Sequence, residues 1–344
     1  MFGKRIVAHA AEGIVEFLVT RLDDEEPASF VVTYEPSKGQ GWALVEMDRL
    51  LVALSGAGTT ARFALGNEGD TYPLGRPVRQ DDELPVEHIP GAGFLDDESH
   101  AFGWVLAAAQ AKGNTYVCGN GSQVYRRMPT GTWARLCEWQ KNGMDDCSFR
   151  ALGVRSYRDI LVGGFVEPEQ DLELELEERM EKQRRRELGK ARPSRSAEGC
   201  LFAYDGSTWK RLEMPKTEPI VAIYEASETL RLAVTETGGV LSIVGDTVTL
   251  VVASHAEKPS SMAYEAGLLY LTTGGRLRVL DFVLGKETSI ALPRGFGKAP
   301  GAVARGAGVL WYVDLEKGLV RYRDGGWQAI RMHTVVESAI RELG

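Results

Sequence analysis

A glycine turn, a strand carrying Tyr and Arg, a second turn and then a tryptophan recur along this chain, and that recurrence constrains its fold more than any single motif. In residues 114–133 the first turn holds Gly121, the strand holds Tyr125 and Arg126, and Trp133 opens the next strand. Residues 309–327 repeat the order with Gly318, Tyr322, Arg323 and Trp327. Residues 199–212 repeat its last two thirds through Tyr204, Asp205, Gly206 and Trp209, with residues 159–165 supplying the missing strand. Looser copies at 230–250 and 268–280 each place two alternating strands around a Gly-Gly pair.

The spacing of these marks selects an architecture. Gly239 to Gly275 is 36 residues and Gly275 to Gly318 is 43. Trp133 to Trp209 is 76, and removing about thirty residues of charged insertion leaves a spacing in the mid-forties. A four-stranded propeller blade takes about 40–50 residues, whereas a leucine-rich repeat is far shorter. Residues 49–65 read as a degenerate blade, and 14–45 hold strands for one more. The expectation is an all-β chain, residues 1–344 forming a single β-propeller of about seven four-stranded blades, with six as the alternative. Ring closure is expected to pair an N-terminal strand with C-terminal strands, hiding the two edges that an open sheet exposes. Residues 334–344 read as a short C-terminal helix capping that closure. Trp133, Trp209 and Trp327, at one repeat position, read as packing residues between blades.

One segment breaks the pattern. Residues 167–198 contain ten acids and eight bases, with the acids first. Leu172, Leu176 and Met180 recur every four residues, so the acidic half suits a helix with a thin apolar stripe, while the basic half has nothing to bury and reads as disordered. The insertion falls between the second and third strands of its blade, so it is expected to overhang the face where inter-blade connections also emerge. An acidic arm followed by a basic one suits selection of a charged protein partner. The candidate partner-binding residues are Glu173, Glu175 and Glu177 on the acidic half, Arg184, Arg185 and Arg186 on the basic half, and Asn120, Tyr157 and Arg158 on the scaffold.

Composition and motifs narrow the function classes. The formal net charge of −8 argues against a nucleic-acid binder held by a global positive field. No apolar run approaches the ~20 residues of a membrane span, and no signal-peptide pattern opens the chain, so a cytoplasmic protein without membrane contact is expected. The 4 cysteines and 5 histidines lie too far apart for a metal motif and read as free, buried thiols and scattered imidazoles, with no metal site and no cofactor. No nucleophile elbow, phosphate-binding loop or paired metal-ligand motif occurs, and the acidic pairs Asp23-Asp24, Asp81-Asp82, Asp96-Asp97 and Asp145-Asp146 read as loop residues. No catalytic residues are assigned and a non-enzymatic protein is expected. The alternatives are a glycan-binding or glycoside-hydrolase-type propeller and a structural subunit of a larger assembly.

Two resemblances add to this reading. Residues 204–209 resemble the turn of an Asp-box or BNR repeat, a structural hairpin of sialidases and many non-enzymatic propellers, with echoes at 130–133 and 324–327. Residues 125–129 depart from the arginine signature of sialidases, so their catalysis is not carried over. Residues 117–127, 203–209 and 320–327, within a span from about 100 to 330, resemble bacterial WD40/YVTN-like propeller proteins. That resemblance implies a propeller fold and, through propellers encoded beside toxins, an immunity protein that binds and neutralises a toxin or effector, as a monomer or as a partner-bound complex.

Overall fold

The computed structural model describes residues 3–11, 14–22, 28–35, 41–47, 50–55, 62–74, 87–93, 103–137, 144, 147–166, 197–254, 258–273, 275–299, 301–332, 334 and 336–338. Within them, 28 strands form seven antiparallel four-stranded sheets. Blade 1 holds β1 to β4 (Gly3–Ala11, Ile14–Leu22, Ala28–Tyr34, Trp42–Met47), and blade 2 holds β5 to β8 (Leu51–Ser55, Arg62–Gly66, Asp70–Leu74, Glu87–His88). Blade 3 holds β9 to β12 (Val105–Ala111, Asn114–Gly119, Val124–Arg127, Trp133–Arg135), and blade 4 holds β13 to β16 (Cys147–Ser156, Asp159–Val166, Glu198–Tyr204, Trp209–Arg211). Blade 5 holds β17 to β20 (Ile220–Glu225, Leu230–Thr235, Val240–Val244, Thr247–Val252), and blade 6 holds β21 to β24 (Ser261–Glu265, Leu268–Thr273, Arg276–Asp281, Lys286–Ala291). Blade 7 holds β25 to β28 (Gly301–Gly306, Val309–Asp314, Gly318–Arg323, Gly326–Ile330). The chain is a seven-bladed propeller, and the first strands meet around its centre, β25 against β1 and β21, β13 against β9 and β17, and β9 against β5.

Alternation along the middle strands explains the core. In β26, Leu310 and Tyr312 face blade 6 while Trp311 and Val313 face blade 1. In β14, Ile160 and Val162 face blade 3 while Leu161 faces blade 5. Both faces of such a strand are buried, so its sequence reads as a continuous apolar run. The buried apolar residues accordingly divide into seven clusters, one at each junction of neighbouring blades. Small residues on the innermost strands, such as Ala107, Ala108 and Ala109 in β9 and Gly301, Ala302 and Ala304 in β25, let seven backbones converge on one axis.

Ring closure differs from the expectation. Every blade is built from consecutive strands, and among the described residues no sheet pairs an N-terminal strand with a C-terminal one. Residues 3–11, not anticipated as a strand, form β1 and pair along their full length with β2, from Gly3↔Leu22 to Ala11↔Ile14. Blade 1 thus completes its sheet locally and leaves no strand position for the C-terminus. The ring is closed by side-chain packing instead: Phe17, Val19, Phe30 and Val32 of blade 1 meet Ala302, Ala304, Trp311 and Val313 of blade 7. Residues 334 and 336–338 are helical, and Val336 is buried in the same cluster.

A repeated indole contact ties the outer strands together. Trp209 donates its indole N–H to the Leu136 carbonyl of the preceding blade at 3.0 Å, and Trp327 donates to the Ala291 carbonyl at 2.8 Å. Trp42 donates to the Arg331 carbonyl at 3.2 Å, so the same contact spans the closing junction. Each of these tryptophans lies against the cross-strand tyrosine of its own hairpin, Tyr204, Tyr322 or Tyr34, at centroid distances of 4.8, 5.1 and 4.5 Å. Trp133 opens β12 at the same place, with Arg127 opposite it instead of tyrosine. The expected inter-blade role of the repeated tryptophans holds, and Trp42 joins them.

Blades 1 and 2 also share a buried ion pair. Glu16, 1% exposed, accepts from Arg62 Nη1 at 2.5 Å and from the Thr33 hydroxyl at 3.3 Å. Removing the cation would leave a buried carboxylate without charge compensation, so Arg62→Ala is expected to cost about 3–5 kcal/mol in urea unfolding. Replacing both partners by leucine should recover most of that loss. A single Arg62→Ala variant as stable as the parent would show that the pair is not desolvated.

Candidate functional site

In this topology the connections from second to third strand, and those between blades, emerge on one face, while the first hairpin of each blade turns on the opposite face. Hydrogen bonds join neighbouring connections on the first face: Asn120 N–H donates to the Trp104 carbonyl at 2.9 Å, Ser122 N–H to the Cys147 carbonyl at 2.9 Å, and Glu236 N–H to the Pro219 carbonyl at 2.8 Å. The insertion leaves β14 after Val166 and returns at β15 with Glu198, so its two ends flank this connected face.

At its foot the structure brings together four side chains from blades 3 and 4. The Ser148 hydroxyl donates to Asn120 Oδ1 at 3.0 Å. Ser148 pairs with Phe165 across the β13–β14 ladder, one position before Val166. The ladder then slips between Phe149 and Ala151, leaving Arg150 unpaired in a bulge. Arg150 is exposed, and its guanidinium lies 4.6 Å from the Phe165 ring centroid. A bulge re-aims the side chain it carries, and here it presents a cation on an aromatic face. No ion pair joins Arg150 to another described residue.

Two glycines allow this close build. A Cβ on Gly164 would stand 1.8 Å from the Ser148 carbonyl oxygen, and one on Gly119 would stand 2.2 Å from the Trp104 carbonyl oxygen. Trp104, 42% exposed, donates its indole N–H to Glu68 Oε1 at 2.9 Å beside this ground. Outward along blade 4, an open pocket of about 430 Å³ is lined by Glu198, Arg211 and Met214 at the point where the insertion returns.

The predicted site residues separate. Asn120 lies in the cluster just described. Tyr157 and Arg158 form the first hairpin turn of blade 4, between β13 and β14, and therefore lie on the opposite face from Asn120. Glu173, Glu175, Glu177, Arg184, Arg185 and Arg186 lie outside the described residues, as do the acidic pairs in the loops. Ser148, Arg150, Phe165 and Trp104 were not singled out from sequence. One signal was present: Arg150 is the lone charge in the apolar run 147–154 and breaks its alternation, as a bulge does.

The chemistry of the described residues fits recognition. Among them, no group of three or more His, Cys, Asp or Glu side chains is arranged to hold a metal ion. All four cysteines are buried thiols outside any disulfide, as anticipated, and they gather at the junction of blades 3 and 4. Burial pushes the Cys118 thiol up, and the adjacent Cys147 thiol together with burial does the same for Cys200, so neither is an activated thiolate. Asp205, in the Asp-box-like turn, accepts from the backbone N–H groups of Thr208 and Ser207 and from both hydroxyls, which hold its carboxyl well below the usual range. Its carboxylate closes a hairpin, consistent with the structural role that the resemblance implies.

No family model matches the chain, and no curated protein matches it. Solved structures do. The WD40 propeller domain of Doa1 is 10% identical with a TM-score of 0.60, covering 95% of this chain and 93% of that one. The Cps50 (Swd1) propeller domain of Myceliophteria thermophila is 10% identical with a TM-score of 0.55, covering 95% and 100%. The propeller domain of the trilobed protease of Pyrococcus furiosus, which has an open velcro topology, is 10% identical with a TM-score of 0.50, covering 94% and 97%. The matched PorZ chain is longer, so that the likeness covers 95% of this chain and 38% of that one, whereas the likeness to YCF48 covers 65% of this chain and 66% of that one. At these identities the likeness is one of fold, a β-propeller, shared with the WD40 domain of Doa1 among others.

Proposed function

We propose that this propeller is a non-enzymatic scaffold that captures a protein on the connected face, and that the partner is a bacterial toxin or effector that it neutralises in the cytoplasm. The observation that carries the reading is the foot of the insertion. There Arg150 and Phe165 offer an exposed cation on an aromatic ring, beside a half-buried Asn120 that the buried Ser148 hydroxyl orients, at the root of a segment of ten acids and eight bases. A rigid ring of blades holds these groups in place, and loops on rigid scaffolds are where recognition is commonly built. The fold likeness to WD40 propellers supports a binding scaffold, while the immunity role rests on the sequence resemblance alone.

The test has two arms. Deleting 167–197 and bridging Val166 to Glu198 with a short glycine linker should preserve the strand circular-dichroism signal and abolish capture of a toxin encoded beside this protein. Full capture by the deletion protein would remove the insertion from the interface. Co-expression should protect cells from that toxin, and continued killing would overturn the immunity role while leaving the scaffold reading intact.

A further inference from the structure

The opposite face carries a second constellation. Tyr157, at the tip of the first hairpin of blade 4, is 47% exposed. Two guanidinium groups flank its ring: that of Arg158, the next residue, lies 4.9 Å from the centroid, and that of Arg126, from β11 of blade 3, lies 5.6 Å away. The two cations are therefore no farther apart than the sum of those distances, comparable with a Debye length of about 10 Å at 0.1 M salt. They act on solvent as one positive site with an aromatic floor.

The two guanidinium groups are held in place, and among the described residues no carboxylate pairs with either. Arg126 donates through Nε and Nη2 to Asn114 Oδ1 at 3.3 and 2.9 Å, a neutral acceptor that orients the guanidinium. Arg158 lies over Gly206, where a Cβ would stand 2.6 Å from its Cγ, so the missing side chain gives the arginine its seat. The nearby acids are committed elsewhere. Asp159 pairs with Arg231 at 2.7 Å and Arg155 at 3.7 Å, and Glu225 pairs with Arg155 at 2.6 Å and Arg231 at 2.9 Å. Asp205 is occupied by the four donors of its own turn. Among the described residues neither Arg126 nor Arg158 makes an ion pair.

We propose that Arg126, Tyr157 and Arg158 form a docking site for an acidic, extended segment of a protein partner, on the face opposite the insertion. Charge complementarity selects the occupant. Two uncompensated guanidinium groups accept carboxylates through charge-assisted, bidentate hydrogen bonds, and the exposed tyrosine supplies apolar area for the segment's backbone and side-chain stems. A long polyanion is disfavoured, because the rest of the molecule brings the net charge to −8 and repels it beyond this patch. The site is independent of the insertion-face reading, since deleting 167–197 leaves all three residues in place.

The experiment titrates the full chain with a fluorescent, end-blocked hexaglutamate peptide, using a hexaglutamine peptide, inorganic phosphate and a single-stranded oligonucleotide as comparisons. Hexaglutamate should bind and weaken as salt rises, while hexaglutamine should not bind. Arg158→Gln and Tyr157→Ala should each lower the affinity about tenfold. Arg150→Gln, on the other face, should leave it unchanged. Arg158→Glu should abolish hexaglutamate binding and create binding to hexalysine, a gain that a misfolded variant would not show. Absence of hexaglutamate binding, or binding indifferent to Arg158 and Tyr157, overturns the proposal. So does tighter binding of phosphate or oligonucleotide than of hexaglutamate, which would make the site a phosphate-recognition site.

Discussion

Gly164→Ala is expected to cost at least about 3 kcal/mol and to abolish the arrangement at the foot of the insertion. The added Cβ would stand 1.8 Å from the Ser148 carbonyl oxygen and 2.9 Å from Phe149 Cα, both backbone atoms of the paired strand. Backbone cannot rotate aside as a side chain can, so relief requires parting β13 from β14 next to the bulge that presents Arg150. The adjacent Gly163 provides the control. A Cβ there would meet Ile220 Cγ2 at 2.7 Å, a side-chain atom of blade 5 that can shift, and Gly163→Ala is expected to cost about 1–3 kcal/mol. Urea unfolding followed by circular dichroism distinguishes the two. Equal stabilities for both variants would show that the close approach at Gly164 is relaxed without cost.

The second large effect concerns the closing junction. Trp311 is 2% exposed, lies in the cluster shared by blades 1 and 7, and meets Tyr34 edge-on at 6.0 Å. Trp311→Ala is expected to cost about 3–5 kcal/mol, as large-to-small changes in a packed core do. Its local signature matters more than its size. Because no sheet spans the chain ends among the described residues, this cluster and the Trp42 contact to Arg331 take the place of strand pairing between blade 7 and blade 1. Hydrogen exchange in the variant should therefore accelerate first in β1 and β25 and last in β13 and β17, on the far side of the ring. Uniform acceleration would mean that the ring opens as one cooperative unit.

Much of this architecture was legible because it is written in short windows. Turn glycines, the Tyr–turn–Trp hairpins at 204–209 and 322–327, and apolar runs long enough for one doubly buried strand each occupy a few residues. Two strands each of blades 5 and 6 and three of blade 7 were read from these signals, while their innermost strands were not. Blade 1 was read less well: β1 was not anticipated, and the third and fourth strands are joined by a longer connection, so Trp42 did not stand out as the partner of Tyr34.

The candidate sites were less legible. Asn120, Ser148, Arg150 and Phe165 come from two blades, and Arg150 lies beside the Phe165 ring from a bulge where the ladder slips by one residue. Tyr157 and Arg158 were grouped with Asn120, although a single strand, β14, carries the chain from one face to the other between them and the insertion. Their stacking partner Arg126 lies in the preceding blade, and no local pattern links it to them.

The sequence by itself determined a repeating hairpin chemistry, a blade-length period and a charged insertion between a second and a third strand. These depend on interactions within tens of residues, where backbone preference and alternation are strong. Only the tertiary structure decided how the ring closes and which side chains share a face. Closure depends on whether the first blade completes its own sheet, and β1 does so by pairing with β2, leaving side-chain contacts to join the ends. Which residues share a face depends on strand direction and register summed over seven blades, and a one-residue slip at Arg150 is enough to change what meets what.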